Sequence, residues 1–188
     1  MIKNLEHYIL RFPNVISNKI CDDTIKELQN FDWQEHKFYN RRTDSYHNQA
    51  GEKELETTWE KCEHDIPIME QVWHSINNYI KEFNFPWHNG WEGYSELRFN
   101  RYLPGKLMTE HCDHIHSLFD GKRKGIPTLS ILGLLNDDFE GGDFVMFTDK
   151  KIEFNKGDLL VFPSNFLYPH RVEEVKSGTR FSFISWSF

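Results

Sequence analysis

The sequence predicts a mainly β, α+β fold: an antiparallel double-stranded β-helix, or jelly roll, braced by two N-terminal helices. Three observations carry this. Two segments in the first half repeat apolar residues at helical intervals, a series of short runs in the second half reads as strands, and glycine-bearing turn signals separate those runs. A chain of 188 residues with 16 Phe and 6 Trp fits one domain with a sizeable core, residues 1–95 supplying helical support and a lid segment and residues 96–188 the jelly roll.

Taken in order, residues 8–15 read as a short strand interrupted at Pro13, and Ser17 stands where a helix N-cap belongs. Ile20, Cys21, Ile25, Leu28 and Phe31 then recur at helical spacing, predicting an amphipathic helix over 18–30 in which Cys21 is a small buried apolar residue. Residues 34–58 are polar but rich in aromatics, too long for an ordinary connection, and read as a lid or substrate loop, with a surface excursion as the plainer alternative. Asp65 is expected to cap a second helix with Pro67 in its first turn, its stripe of Ile68, Met69, Val72, Trp73, Ile76, Tyr79, Ile80 and Phe83 packing on the sheet. The Asn89-Gly90 turn signal precedes a strand over 96–102, and four more strand-like runs cover 128–135, 143–148, 158–162 and 180–186. Gly141-Gly142 and Asn155-Lys156-Gly157 supply turns.

Composition narrows the function. A net charge of −7 and a pI near 5.8 give no electrostatic footprint for a phosphate backbone, so peptides or small molecules fit better than nucleic acid. Cys21, Cys62 and Cys112 are odd in number and not patterned as a disulfide framework, which points to a reducing, cytoplasmic setting. No run reaches the ~20 apolar residues that span a membrane, so no membrane association is expected.

Chemistry concentrates in the second half, where His111-Cys112-Asp113 is followed by His170 and then Arg180. On a strand, His111 and Asp113 at i and i+2 share a face, and a neighbouring strand can bring His170 across to them. Two imidazoles and one carboxylate occupy one face of an octahedral metal and leave the other positions open, an arrangement that makes iron the first candidate. His114 and His116 are rival ligands, and a zinc site using His111, His114 or His116 is the alternative. Along 180–186 one face carries Arg180, Ser182, Ile184 and Trp186. A guanidinium aimed into a barrel is costly unless an anion meets it, and its planar fork suits a carboxylate, so a dicarboxylate co-substrate would serve. The plainer readings are an edge-strand surface residue for Arg180 and a core residue for Tyr102.

Tyr102-x-x-Gly105 leading into His111-x-Asp113, then Leu135-Asn136-Asp137-Asp138-Phe139-Glu140-Gly141-Gly142, then Gly157-Asp158-Leu159-Leu160-Val161-Phe162-Pro163 before His170, occur together and in order. In these motifs, over roughly its C-terminal half, the chain resembles the Fe(II)/2-oxoglutarate-dependent oxygenases, and most closely their prolyl 4-hydroxylase-like branch. The resemblance implies the same jelly roll, Fe(II) on His111, Asp113 and His170, and 2-oxoglutarate and O2 as co-substrates. It also implies ascorbate stimulation, with succinate and CO2 as co-products. It puts Arg180 on the distal carboxylate of 2-oxoglutarate and Tyr102 beside the co-substrate. Met108 and Leu134 stand where many relatives carry tyrosine, and Ser130 and Ser182 are expected to replace the lost hydroxyls. The implied acceptor is proline in a peptide or protein, with residues 34–58 and 114–125 as groove walls bearing Tyr39, Tyr46 and Trp59. A free amino acid or other small metabolite is the alternative acceptor, a nucleic-acid demethylase a third reading, and a catalytically inactive metal- or 2-oxoglutarate-binding module the alternative of another class.

Overall fold

The computed structural model describes residues 4–40, 43, 45–47, 53–84, 93–113 and 127–188. A 3-10 turn at Leu5–Tyr8 leads into β1 (Leu10–Phe12) and helix α1 (Asn18–Leu28). The side chain of Ser17 caps α1, its Oγ accepting from the Ile20 amide at 3.3 Å. Strands β2 (Gln34–Glu35), β3 (Phe38–Asn40), β4 (Ser45–His47) and β5 (Glu56–Thr58) then precede helix α2 (Asp65–Phe83). The second half holds β6 (Arg98–Tyr102), β7 (Met108–His111), β8 (Leu129–Leu134), β9 (Glu140–Gly141) and β10 (Phe144–Met146). It continues with β11 (Lys150–Lys151), β12 (Leu159–Pro163), β13 (His170–Val172), β14 (Val175–Ser177) and β15 (Arg180–Ser187).

Two facing sheets build the barrel. The larger runs β1-β12-β8-β15-β6-β5-β2 and the smaller β11-β10-β13-β7, with antiparallel pairing between the neighbouring strands. Strand alternation sorts the larger sheet's side chains into two cores. Phe99, Ile131, Val161, Phe181 and Phe183 face outward, where Cys21 and Leu28 of α1 and Ile68, Val72, Ile76 and Tyr79 of α2 cover them. Their neighbours Tyr102, Leu132, Leu160, Phe162 and Ile184 face inward and meet Met108, Phe144, Met146 and Val172 of the smaller sheet. Gly133 is required by this packing: a Cβ there would fall 2.1 Å from Cζ of Phe183, whose ring lies over the β8 backbone.

Four expectations are corrected. Residues 34–58 are not simply a loop, because β2 and β5 extend the larger sheet beyond β6. Asp65 is the first helical residue rather than the cap, which is His64, and its carboxylate accepts instead from the Cys62 thiol at 3.2 Å. Trp73, on the α2 stripe by spacing, is 44% exposed, since the stripe is wider than the sheet face it covers. Asp113 lies two residues beyond the end of β7 rather than within the strand. Cys21 is fully buried, and burial pushes its thiol up to about 11, as suits a core residue. Among the described residues no helix is long and apolar enough to cross a membrane.

Candidate metal centre

His111 and His170 face each other as register partners on β7 and β13, where a bulge sets one residue of β13, Arg171, against two of β7, Thr109 and Glu110. Their ring centroids are 4.4 Å apart. Asp113 completes the group, its Oδ1 3.6 Å from His111 Nε2 and its Oδ2 3.9 Å from His170 Nε2. The three donor atoms lie within 4.8 Å of one another and could hold a metal ion.

Hydrogen bonds prepare each group for that task. His111 Nδ1 lies 2.9 Å from the Thr109 carbonyl, and His170 Nδ1 lies 3.0 Å from the Tyr168 carbonyl. A carbonyl only accepts, so in both rings Nδ1 carries the proton and Nε2 presents its lone pair to the shared space. Ser130 Oγ donates to Asp113 Oδ2 at 2.5 Å and accepts in turn from Ser164 Oγ at 2.6 Å. Burial alone would push the Asp113 carboxyl up, but His170, His111 and the Ser130 hydrogen bond together hold it well below the usual carboxylate range. Burial, then the neighbouring His111, pushes His170 down to about 4. At neutral pH the group therefore offers an ionised carboxylate and a neutral His170, the forms a metal needs.

Below this group the barrel interior steps in register. Arg180 pairs with Tyr102, Ser182 with Asn100 and Leu134, Ile184 with Arg98 and Leu132, and Trp186 with Ser130. Arg180 is 1% exposed, yet its guanidinium makes one hydrogen bond among the described residues, Nη1 to Ser182 Oγ at 2.9 Å, and its Nε has no partner. Rings of Tyr102 and Phe139 stand 5.0 and 5.9 Å from it. Gly142 makes room for its stem, because a Cβ there would lie 3.0 Å from Arg180 Cδ. A buried cation with an orphaned N–H, at the edge of a cavity of about 420 Å³ shared with Leu134, Phe139 and Phe144, fits a carboxylate ligand.

The structure thus brings His111, Asp113 and His170 together, with Tyr102, Ser182 and Arg180 farther along the same barrel interior. The Tyr102 hydroxyl lies 3.9 Å from Met108 Sδ and near Ser182, so these groups line one space. Ser130 is placed differently from Ser182: it pairs four residues farther along β15, ~13 Å at strand rise, and its hydroxyl is committed to Asp113 and Ser164. His114 and His116 lie outside the described residues, as does the whole of the 114–125 wall.

Three contributors were missed by sequence reasoning. Arg98 lines the narrow cavity between the histidines and Tyr102, and its place on one strand face with Asn100 and Tyr102 was a usable signal. Phe38 packs on His111 at 5.5 Å, so residues 34–58 do reach the centre. Glu54, fully buried, accepts from the Thr109 amide at 3.2 Å and from the Thr109 hydroxyl, tying down the strand that carries His111. No sequence signal marks it.

Comparison with known proteins concerns the family and the fold. Residues 97–188 match the family described as the 2OG-Fe(II) oxygenase superfamily. A PKHD-type hydroxylase of Idiomarina loihiensis is 35% identical over 95 residues, 49% of this chain and 41% of the relative. One of Crocosphaera subtropica is 34% identical over 95 residues, 48% of this chain and 41% of the relative. The chain thus spans about two fifths of the length of the curated relatives it matches. Among solved structures, the viral collagen prolyl hydroxylase of Paramecium bursaria Chlorella virus-1 superposes with a TM-score of 0.68 at 17% identity, covering 96% of this chain and 94% of that one. A Pseudomonas putida prolyl-4-hydroxylase does so with a TM-score of 0.61 at 20% identity, covering 96% and 91%. A Trichoplax adhaerens prolyl hydroxylase, solved with a hypoxia inducible factor peptide fragment, gives 0.69 at 17% identity, covering 96% and 83%. Residues 97–188, just under half of the chain, thus match the 2OG-Fe(II) oxygenase superfamily, and the chain folds as a double-stranded β-helix like that of the prolyl hydroxylases it superposes on.

Proposed function

We propose that this chain, acting as one domain in a reducing compartment, is an Fe(II)- and 2-oxoglutarate-dependent dioxygenase that hydroxylates a C–H bond, with proline in a peptide or protein as acceptor. The observation that carries it is the convergence of two Nε2 lone pairs and one carboxylate, in the barrel that also buries the half-satisfied Arg180 guanidinium. His111, Asp113 and His170 hold the metal, and Arg180 with Ser182 takes the distal carboxylate of the co-substrate. Tyr102 lies over the guanidinium, and Ser130 orients Asp113 from behind. Bound there, Fe(II) and 2-oxoglutarate supply the oxidising chemistry, one atom of O2 entering the C–H bond as hydroxyl and the other entering succinate as CO2 leaves. The residues of the chain position these parts, and none is needed as a general base.

The fold shared with prolyl hydroxylases supports the proline acceptor. So does Phe38, which packs on His111, with Tyr46 and Trp59 as half-exposed aromatics for the proposed groove; the side chain of Tyr39 lies outside the described residues. A free amino acid or other small metabolite is the second reading, favoured by the cation Arg98 in the cavity wall. Succinate release in Fe(II), ascorbate and 2-oxoglutarate, with mass spectrometry of proline peptides, tests both. A gain of one oxygen on proline is expected; stimulation by free amino acids alone would transfer the assignment to the small acceptor. His111→Ala, Asp113→Ala and His170→Ala should each lose iron, and near-normal iron in all three would refute the centre.

A further inference from the structure

Five arginines lie among the described residues, and three of them, Arg11, Arg101 and Arg171, pair with carboxylates at 2.7–3.3 Å. The two that turn into the barrel, Arg98 and Arg180, form no ion pair among the described residues. Arg180 has a role under the proposed function, but Arg98 does not. It sits on β6, two strand positions beyond Tyr102's neighbour Asn100, and lines the same cavity as His111, Asp113 and His170. Its one hydrogen bond is Nε to Asn100 Oδ1 at 3.2 Å, which leaves the forked end of the guanidinium without an acceptor among the described residues.

Its other neighbours lead outward from the metal centre rather than deeper into the barrel. The guanidinium lies 5.2 Å from the ring of Trp186, which in turn stands 6.3 Å from Trp59, itself 51% exposed. Trp186 Nε1 is enclosed and has no partner among the described residues. On another side lies His36, whose imidazole burial, and then the positive charge of Arg98, holds neutral. The forked end of one cation in the wall of the metal cavity and the indole N–H of the ring beside it thus lack acceptors among the described residues.

We propose that Arg98 anchors a carboxylate of the acceptor molecule, so that the substrate presents a negative charge within reach of the metal. This rests on the proposed function and names the chemistry its acceptor must carry. Asp113, the carboxylate whose charge bears most on Arg98, is committed to the metal under that reading, so no described carboxylate is left to meet the fork and a substrate anion fits the place. The planar fork matches a carboxylate in two parallel hydrogen bonds, and the Trp186 face supports the guanidinium from one side. The carboxylate can be the α-carboxylate of a free amino acid or an acidic side chain in a peptide.

The test is calorimetry under anaerobic conditions on the full chain loaded with Fe(II) and 2-oxoglutarate. The first pair of probes is N-acetyl-L-proline and N-acetyl-L-prolinamide. The second is an amidated, N-acetylated tripeptide carrying proline beside glutamate, and its glutamine counterpart. Wild-type protein should bind the acid of one pair at least ~30-fold more tightly than its neutral twin, the low end of a charge-assisted pair. The preferred pair says which source supplies the carboxylate. In Arg98→Gln the ratio should fall to within ~3-fold, and Arg98→Lys should restore part of it. Equal binding of acid and neutral probe in both pairs by the wild type, or an undiminished ratio in Arg98→Gln, overturns the anchor. An Arg98→Gln protein that needs more 2-oxoglutarate yet keeps the ratio would reassign Arg98 to the co-substrate. Succinate release is read in parallel on the wild type. Its absence strikes the proposed function, whereas its presence with charge-blind binding strikes Arg98 alone.

Discussion

Replacing Arg180 with Met separates a functional cation from a structural one, because the two roles predict opposite signs. The side chain is 1% exposed, forms one neutral hydrogen bond, leaves Nε unpaired and makes no ion pair among the described residues. Burial lowers its pKa, the mark of a charge held at a cost in the ligand-free protein. Exchanging a buried, poorly compensated charge for an apolar side chain stabilises by ~1–4 kcal/mol. The rings of Tyr102 and Phe139 return ~0.5–2 kcal/mol of this through their contact with the cation. The difference of the two ranges centres on a net gain of ~1 kcal/mol, a melting temperature higher by ~2–4 °C for a chain of this size. Ligand reverses the order. At a 2-oxoglutarate concentration ~100 times Kd, the wild type gains ~2.7 kcal/mol, or ~5–10 °C. Arg180→Met should gain nothing. The assay is thermal unfolding with Fe(II) under anaerobic conditions, with and without 2-oxoglutarate. A variant that melts below the wild type without ligand, or that keeps the 2-oxoglutarate shift, would show that Arg180 serves the fold instead.

Three other outcomes follow from the same geometry. Ser130→Ala removes the hydroxyl donor to Asp113 and should weaken Fe(II) affinity ~10–100-fold in a chelator competition, whereas unchanged affinity would mean the carboxylate is held by its other contacts alone. Glu54→Ala leaves the partly buried Thr109 donors unpaired and should lower unfolding free energy by ~1–3 kcal/mol with Glu54→Gln nearer the wild type; equal denaturation midpoints for the wild type and the alanine variant would remove Glu54 from this role. Burial, then the Arg98 guanidinium, pushes His36 down to about 3 from 6.5, so the folded chain excludes a proton that the unfolded chain binds below pH 6.5. Stability should therefore fall as pH drops from 6.5 towards 3, by ~2 kcal/mol at pH 5. His36→Gln should flatten that part of the urea-midpoint profile of the metal-free protein, and identical slopes would count against it.

Much of the centre was legible because strand alternation is a local rule. Once residues 180–187 are a strand, Arg180, Ser182, Ile184 and Trp186 must share a face, and the cost of a buried guanidinium already asks for an anion. The α1 helix was equally local: a period of apolar residues and a hydroxyl at Ser17 suffice. Ligand order was legible too, though not the geometry that joins the ligands, since Asp113 leaves the strand and a bulge sets His111 opposite His170. What tertiary structure alone decided depends on partners far apart in the chain. Glu54 lies in a polar segment and is buried only because Thr109, 55 residues later, supplies its donors. Ser130 and Ser182 are alike as small polar strand residues, but Ser182 meets Arg180 on its own strand, whereas only the tertiary fold brings Ser130 to Asp113, 17 residues earlier. Arg98 shares its strand face with Asn100 and Tyr102, but which wall of the barrel that face lines is set by pairing with Ile184 and by Trp186 closing over it. Periodicity determines which side chains travel together, and sheet register determines what they meet.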